Sequence, residues 1–149
     1  MYKLLKTNSN HSDFQKLTQL FDEYLVEIDG DEKDFFAQYN QIYIDNVIVC
    51  YEDEIAVGCG AFKEYEPTVA EIKRMFVLPE KRGKGIASTV LNMLEIWAKE
   101  NGFQSSILET SNQLTNAISL YQKSGYEIIP NYGQYIDVES SVCMKKILK

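Results

Sequence analysis

Residues 71–88 carry three structural signals in immediate succession, and that order restricts the fold more than any other stretch. An apolar run from Ile72 to Leu78 reads as a strand and stops at Pro79. A basic turn with two glycines, Lys81 to Gly85, follows. A long amphipathic helix then begins, with Ala87, Val90, Leu91, Leu94, Trp97 and Ala98 on one face and a stop at Asn101-Gly102. Ser106 to Thr110 is the next strand, and a strand–helix–strand unit of this length predicts a right-handed crossover between parallel neighbours. The glycine turn and helix start also predict a ligand. Their backbone N–H groups and the positive end of the helix dipole converge on one spot that suits an anion. Gly83 and Gly85 let that anion approach the main chain, while Lys81, Arg82 and Lys84 add charge that suits phosphate.

The rest of the chain supplies the sheet around this unit. Residues 2–6 form a first strand. Phe14, Leu17, Phe21, Tyr24, Leu25 and Ile28 recur at helical spacing, so 12–28 reads as an amphipathic helix ended by Gly30. Strands over 47–51 and 55–63, joined by the polar turn Glu52-Asp53-Glu54, and the strand at 69–78 make an antiparallel meander. Leu114 to Ser124 reads as another helix, ended by Gly125, and 126–129 and 138–147 as two last strands. The sum is one mixed α/β (α+β) domain over 1–149, with a hairpin-rich first half feeding a βαβα second half.

Charge narrows the partners. Net charge is −7, which argues against a nucleic-acid or anionic-membrane binder. Against that background Lys73, Arg74, Lys81, Arg82 and Lys84 lie within twelve positions, which suits a small polyanion. An acidic segment, Glu27, Asp29, Asp31, Glu32 and Asp34, reads as a solvated loop with the charged first turn of a short helix near 32–39, or as one wall of a site for a cationic substrate. No apolar run reaches membrane-span length and the first residues lack a signal-peptide core, so the expected location is the cytoplasm. Cys50, Cys59 and Cys143 sit in apolar strand-like runs and read as reduced core residues. The one histidine, His11, stands at a helix start. Neither a His-based triad nor a multi-His metal site is available, and no metal is expected.

Two better-known phosphate signatures fail. A P-loop needs Gly-Lys followed by Ser or Thr, and here Lys84 precedes Gly85. A dinucleotide fingerprint needs a third glycine where Ser88 stands, so a nicotinamide-dependent oxidoreductase is not expected. What fits is Arg82-Gly83-Lys84-Gly85-Ile86-Ala87, the pattern Q/R-x-x-G-x-G/A, after a strand ending in Val77-Leu78-Pro79. Downstream, Asn116-Ala117-Ile118-Ser119-Leu120-Tyr121-Gln122-Lys123-Ser124-Gly125-Tyr126 fits N-x-x-A-x-x-L-Y-x-K-x-G-[FY]. In this order and separation, over roughly 45–148, the two elements resemble the GNAT superfamily of acetyl-CoA-dependent N-acetyltransferases. Glu71-Ile72-Lys73-Arg74-Met75 and Ser141-Val142-Cys143-Met144-Lys145 are similar to a bacterial subgroup whose substrates are unassigned.

The resemblance implies a GNAT-like fold: a central mixed, mostly antiparallel twisted sheet with a splayed central strand pair and helices on both faces. The coenzyme's pantetheine arm would bond the backbone of Met75, Phe76 and Val77. Its pyrophosphate would lie on the main-chain N–H groups of Arg82, Gly83, Lys84, Gly85, Ile86, Ala87 and Ser88. Asn116 and Lys123 would contact the coenzyme, Tyr121 would lie near its sulfur, and Glu109-Thr110 would line the opening between the strands. The implied reaction moves an acetyl group from acetyl-CoA to a primary amine of a small molecule or peptide. A homodimer is compatible with the superfamily, and a non-catalytic acyl-CoA sensor is the competing class.

Direct transfer needs a neutral amine, and a free alkylamine has a pKa of about 10. Glu71 is the first choice for the base and Glu109 the second. Regular alternation would put Glu71 on one strand face with Lys73, Met75 and Val77, unless a bulge intervenes. Tyr121 is the candidate acid. A phenol is a weaker acid than a thiol by reference values, so full proton transfer to the departing thiolate is uphill by about 2 kcal/mol. Tyr121 is therefore expected chiefly to hydrogen-bond the thiolate. Tyr132 and Tyr135 would either shape the acceptor pocket or lie on the surface.

Overall fold

The computed structural model describes residues 2–29 and 43–149, with the side chains of 28 and 29 excepted. Helix α1 (Ser12–Asp29) follows strand β1 (Tyr2–Thr7). It starts where His11 Nδ1 accepts the Asp13 N–H at 3.2 Å and the His11 carbonyl accepts the Gln15 N–H at 3.0 Å, so that histidine caps the helix. Strands β2 (Asn46–Glu52), β3 (Ile55–Glu66) and β4 (Val69–Val77) form the meander. A short 3-10 turn at Pro79–Lys81 leads through the glycines into helix α2 (Ile86–Glu100). Strand β5 (Ser105–Ser111), helix α3 (Thr115–Lys123), strand β6 (Glu127–Ile129) and strand β7 (Ser141–Ile147) complete the order. Strand β7 begins three residues later than the apolar pattern suggests, because Val138 to Ser141 closes a turn with the Ser141 N–H on the Val138 carbonyl.

The sheet has the order β1-β2-β3-β4-β5-β7-β6. All neighbours are antiparallel except β4 and β5, the pair joined by the α2 crossover. This is the mixed α/β architecture with helices on both faces. One core gathers Ile48, Phe62, Ile72, Val90, Leu94, Leu108 and Met144 under α2 and α3. The other packs Phe14 and Leu17 of α1 on Val47, Val49, Ala61 and Phe76. The three cysteines are buried and unpaired, and burial pushes Cys59 up to about 12 and Cys143 up to about 11, so both remain thiols in the core. No described helix is long and apolar enough to cross a membrane.

Two departures from regular strand geometry position the site. The first is in the β4–β5 ladder, which holds only from Val69↔Ser105 to Glu71↔Ile107. Beyond that point both strands continue, but apart. The second is a bulge in β4. Cys59 opposes Phe76 and Ala61 opposes Lys73, so three steps on β4 answer two on β3. Arg74, inside the bulge, has φ +59°, a left-handed conformation rare for a non-glycine residue. The extra residue reverses the alternation. Glu71 and Lys73 face the α1 side, whereas Met75 and Val77 join the core under α2, so the single face expected for all four does not exist.

Close helix packing at this point depends on Gly60. A Cβ there would stand 2.5 Å from Met75 Sδ, 2.9 Å from Leu94 Cδ1 and 3.0 Å from Val90 Cγ1. Gly60→Ala should therefore destabilise the fold by about 1–3 kcal/mol through overpacking. Urea unfolding would read this as a lower midpoint at unchanged slope, and an unchanged midpoint would mean that Met75 moves aside at no cost.

Candidate active site

The parted strands open a cleft of about 710 Å³ that passes through the sheet. Its walls are β4 from Glu71 to Val77, the turn and start of α2, β5 from Leu108 to Ser111, α3, and Phe21, Tyr24 and Leu25 of α1. At one end lies the glycine turn. Gly83 and Gly85 have φ +79° and +82°, and a Cβ on either would meet nothing within 4 Å. Their glycine identity thus answers to backbone conformation and leaves open space above the turn. Gly85 caps α2 with no side-chain bond, and the first helical bond runs from the Thr89 N–H to the Gly85 carbonyl at 3.0 Å. The N–H groups of Ile86, Ala87 and Ser88 precede that ladder and are available to an anion.

The cations named around this turn divide. Lys81 is taken by Glu52 in an ion pair that lowers the Glu52 pKa and raises that of Lys81. Arg82 folds back: its Nε donates to the Val77 carbonyl at 3.0 Å, and its guanidinium lies 5.0 Å from the Tyr24 ring centre and 5.7 Å from that of Phe76. Lys84 is exposed and lies outside the cleft lining, whereas Lys123 and Asn116 are exposed and within it. On β4 the Leu78 N–H bonds the Val57 carbonyl of β3, so alternation turns the peptide edge of Val77 toward the open gap. Of the positions expected to hold the coenzyme, Met75, Phe76, Val77, Arg82, Gly83, Gly85, Ile86, Ala87, Ser88, Asn116 and Lys123 therefore share one cleft, with Lys84 outside it.

The three residues expected in the chemistry line the same cleft from opposite faces of the sheet. Tyr121, on α3, is 7% exposed and packs edge-on against Tyr126 with ring centres 5.9 Å apart. Burial, and secondarily the charge of Glu109, raises its pKa well above the usual phenol range. It stays protonated at neutral pH and is a donor. Glu71 and Glu109 lie on the α1 side. Glu71 is 2% exposed and accepts a 2.6 Å bond from the Tyr132 hydroxyl, and Glu109 accepts one of 2.6 Å from Ser141. Lys73, on the same face as Glu71, is 8% exposed and donates to the Tyr135 hydroxyl at 3.2 Å. Burial lowers its pKa, opposed by the charges of Glu71 and Glu109.

Tyr135, 3% exposed, is thus part of the site wall and no surface residue, whereas Tyr132 lies outside the lining and reaches the site only through its bond to Glu71. Sequence reasoning missed their bonds to Glu71 and Lys73, and the roles of Ser141, Phe21 and Tyr24. The two aromatics on α1 had a signal in the helical spacing; Ser141 had none. Of the acidic segment 27–34, Glu27 is exposed on α1, and the side chain of Asp29 together with Asp31, Glu32 and Asp34 lies outside the described residues, as does the helix expected near 32–39.

The family model for the acetyltransferase (GNAT) family matches residues 14–126, which cover the meander, the glycine turn, α2 and α3. The chain belongs to the GNAT acetyltransferase family. Among its relatives are the uncharacterized N-acetyltransferase YjgM of Escherichia coli, 38% identical over 84 residues, and the IAA acetyltransferase of Azospirillum brasilense, 29% identical over 136 residues. The first alignment covers 55% of this chain and 50% of YjgM, so the chain spans about half that relative's length; the second covers 89% of both proteins. A Klebsiella pneumoniae protein classed as an acyl-CoA N-acyltransferase superposes with a TM-score of 0.84 at 25% identity, over 100% of this chain and 99% of that one. A GNAT acetyltransferase from Elizabethkingia anophelis with acetyl-CoA bound shares the fold at 17% identity, with a TM-score of 0.70 over 99% and 98% of the two chains.

Burial governs the ionisation of the phenols in and beside the cleft. Tyr121, Tyr126, Tyr132 and Tyr135 all have folded pKa values raised above 10.0 by burial first. Their contribution to stability is fully present below pH 10 and is lost as the pH climbs past it, because the unfolded chain ionises first. Absorbance near 295 nm should therefore show these phenols silent until the protein unfolds in alkali. A smooth reversible titration of every tyrosine near pH 10 in the folded protein would contradict their burial.

Proposed function

We propose that the protein, acting as one domain, transfers an acetyl group from acetyl-CoA to a primary amine of a small molecule or peptide by direct attack. The observation that carries this reading is the continuity of the cleft, which runs from the glycine turn through the β4–β5 gap to Glu71, Glu109 and Tyr121. The free N–H groups at the start of α2 fit a pyrophosphate, and the turned-out edge of β4 fits an amide chain lying like an added strand. In this reading Met75, Phe76 and Val77 hold the pantetheine. The turn from Arg82 through Lys84 and Gly85 to Ser88 holds the pyrophosphate, and Asn116 and Lys123 flank the arm.

Bound there, the coenzyme supplies an activated acetyl thioester. The protein's own groups then orient the acceptor and manage two protons. The acceptor nitrogen forms a bond to the carbonyl carbon as the carbon–sulfur bond breaks. Glu71, or Glu109 in its place, takes the proton that the amine sheds. Tyr121 donates a hydrogen bond to the sulfur as negative charge gathers on it. Its raised pKa makes full proton delivery from the phenol more uphill than reference values suggest, so its part is electrostatic. Holding the amine against the thioester supplies much of the remaining rate.

A panel of amines with acetyl-CoA and a thiol-reactive dye tests the reading. Release of free CoA with at least one amine is expected. Coenzyme binding without thiol release for any amine would favour an acyl-CoA sensor. Tyr121→Phe should lower kcat by about 10²-fold, the scale of losing one charge-stabilising donor, with acetyl-CoA affinity within twofold of the parent, about 0.4 kcal/mol. An unchanged kcat would remove Tyr121 from the mechanism.

A further inference from the structure

The α1 side of the cleft carries charges of both signs in a fixed order along one strand. Glu71 and Lys73 sit two residues apart on the same face of β4, before the bulge, so their backbones are roughly 7 Å apart. Arg74 follows within the bulge and also lines the cleft. Among the described residues, each of the two cations keeps unused hydrogen-bonding capacity. The Lys73 ammonium, nearly buried, gives one of its three N–H donors to a neutral phenol, Tyr135. The Arg74 side chain is 3% exposed; its Nη2 is bound to Asp22 at 2.9 Å and to the Thr18 carbonyl at 3.0 Å. Its Nη1 is buried with no hydrogen-bond partner among the described residues. A buried guanidinium nitrogen without an acceptor is costly, and the fork geometry of Arg suits a carboxylate.

These charges select the acceptor's chemistry. A simple organic acid entering here would meet Glu71 and Glu109. A plain di- or polycation would meet Lys73 and Arg74. A molecule with both signs close together satisfies both. We propose that the acceptor is a zwitterionic amine, with a carboxylate beside the nitrogen to be acylated: Lys73 holds the carboxylate, with the positive charge of Arg74 next to it on the strand, and Glu71 faces the amine. This rests on the acyl-transfer reading and names its substrate class. It makes Lys73 and Arg74 specificity residues. The lowered pKa of Lys73 agrees with this, since an incoming anion offsets the burial that disfavours its charge. The acidic segment beyond residue 28 plays no part in the inference.

The test compares amines that differ by one carboxylate: phenylalanine with phenethylamine, lysine with cadaverine, and arginine with agmatine, each with acetyl-CoA and thiol detection. For at least one pair, kcat/KM of the carboxylated member should exceed that of its partner by about 10²-fold, because a buried site built for a polar group discriminates strongly against its absence. Lys73→Met should shrink that ratio at least tenfold, chiefly through KM, with acetyl-CoA affinity reporting that the variant is folded. If Lys73→Met does not fold, Lys73→Gln takes its place, and the parent protein's ratio needs no variant. Turnover of amines with no preference for the carboxylate in any pair overturns the inference and leaves acyl transfer standing. A preference that survives loss of the Lys73 charge overturns the assignment to Lys73. Binding of acetyl-CoA with no turnover of either member of any pair overturns this inference, and the transfer reading falls with it only if the wider amine panel also releases no CoA.

Discussion

The bulge at Arg74 is the constraint on which the site depends. A parallel pair of regular strands would stay hydrogen-bonded along its length and leave no passage through the sheet. The extra residue in β4 bends the strand and increases its twist, and the ladder to β5 ends beyond Glu71↔Ile107. A left-handed arginine costs about 1–2 kcal/mol, so the conformation persists only if its surroundings enforce it. They do so from three directions. Asp22 and the Thr18 carbonyl grip one guanidinium nitrogen, the Phe21 ring lies 4.9 Å from the guanidinium carbon, and the Cys59 thiol donates to the Arg74 carbonyl at 3.4 Å. Helix α1 therefore does more than cover a sheet face. It holds open the strand distortion that makes the cleft.

Opening a sheet exposes groups that a sheet normally satisfies, and the second half of the chain answers that need on the α1 side. Glu71, Lys73 and Glu109 would be expensive to bury alone. The loop between β6 and β7 brings Tyr132 and Tyr135 onto Glu71 and Lys73, and the start of β7 brings Ser141 onto Glu109. Edge-on contacts of Tyr132 with Tyr135 and with Tyr65 fix the loop against the sheet. The result is a rigid polar wall whose charges are held by neutral hydroxyls.

The elements themselves were legible because each is written locally. Helical spacing gave α1, α2 and α3, turn chemistry gave the meander, and the strand–turn–helix order gave the parallel pair. The glycine turn was legible for the same reason: Gly83 and Gly85 mark left-handed backbone that almost any other residue would resist. The bulge was not legible, because the left-handed position is filled by an arginine, which carries no turn signal. Alternation therefore misplaced Met75 and Val77 relative to Glu71. The Tyr132–Glu71 and Tyr135–Lys73 bonds join residues about sixty positions apart. No periodicity reports such a pairing, and a tyrosine in a polar loop looks the same whether it faces water or a buried carboxylate.

This difference in legibility follows from how the two ends of the cleft are made. In the proposed reading the coenzyme end is built from main chain: orphan N–H groups at a helix start and a peptide edge of β4. Those groups are identical in every residue, so what the sequence must specify is conformation, and glycines at fixed spacing do that. The acceptor end is built from side chains carried by β4, β5, β7, the β6–β7 loop and α1. Each can change without disturbing the backbone of the others, so that end can diverge while the turn is retained. A family motif therefore speaks for the donor and is silent on the acceptor. If the acceptor is the zwitterionic amine proposed above, the order Glu71, Lys73, Arg74 along one strand encodes it, read together with the helix and loop that hold those three side chains in place.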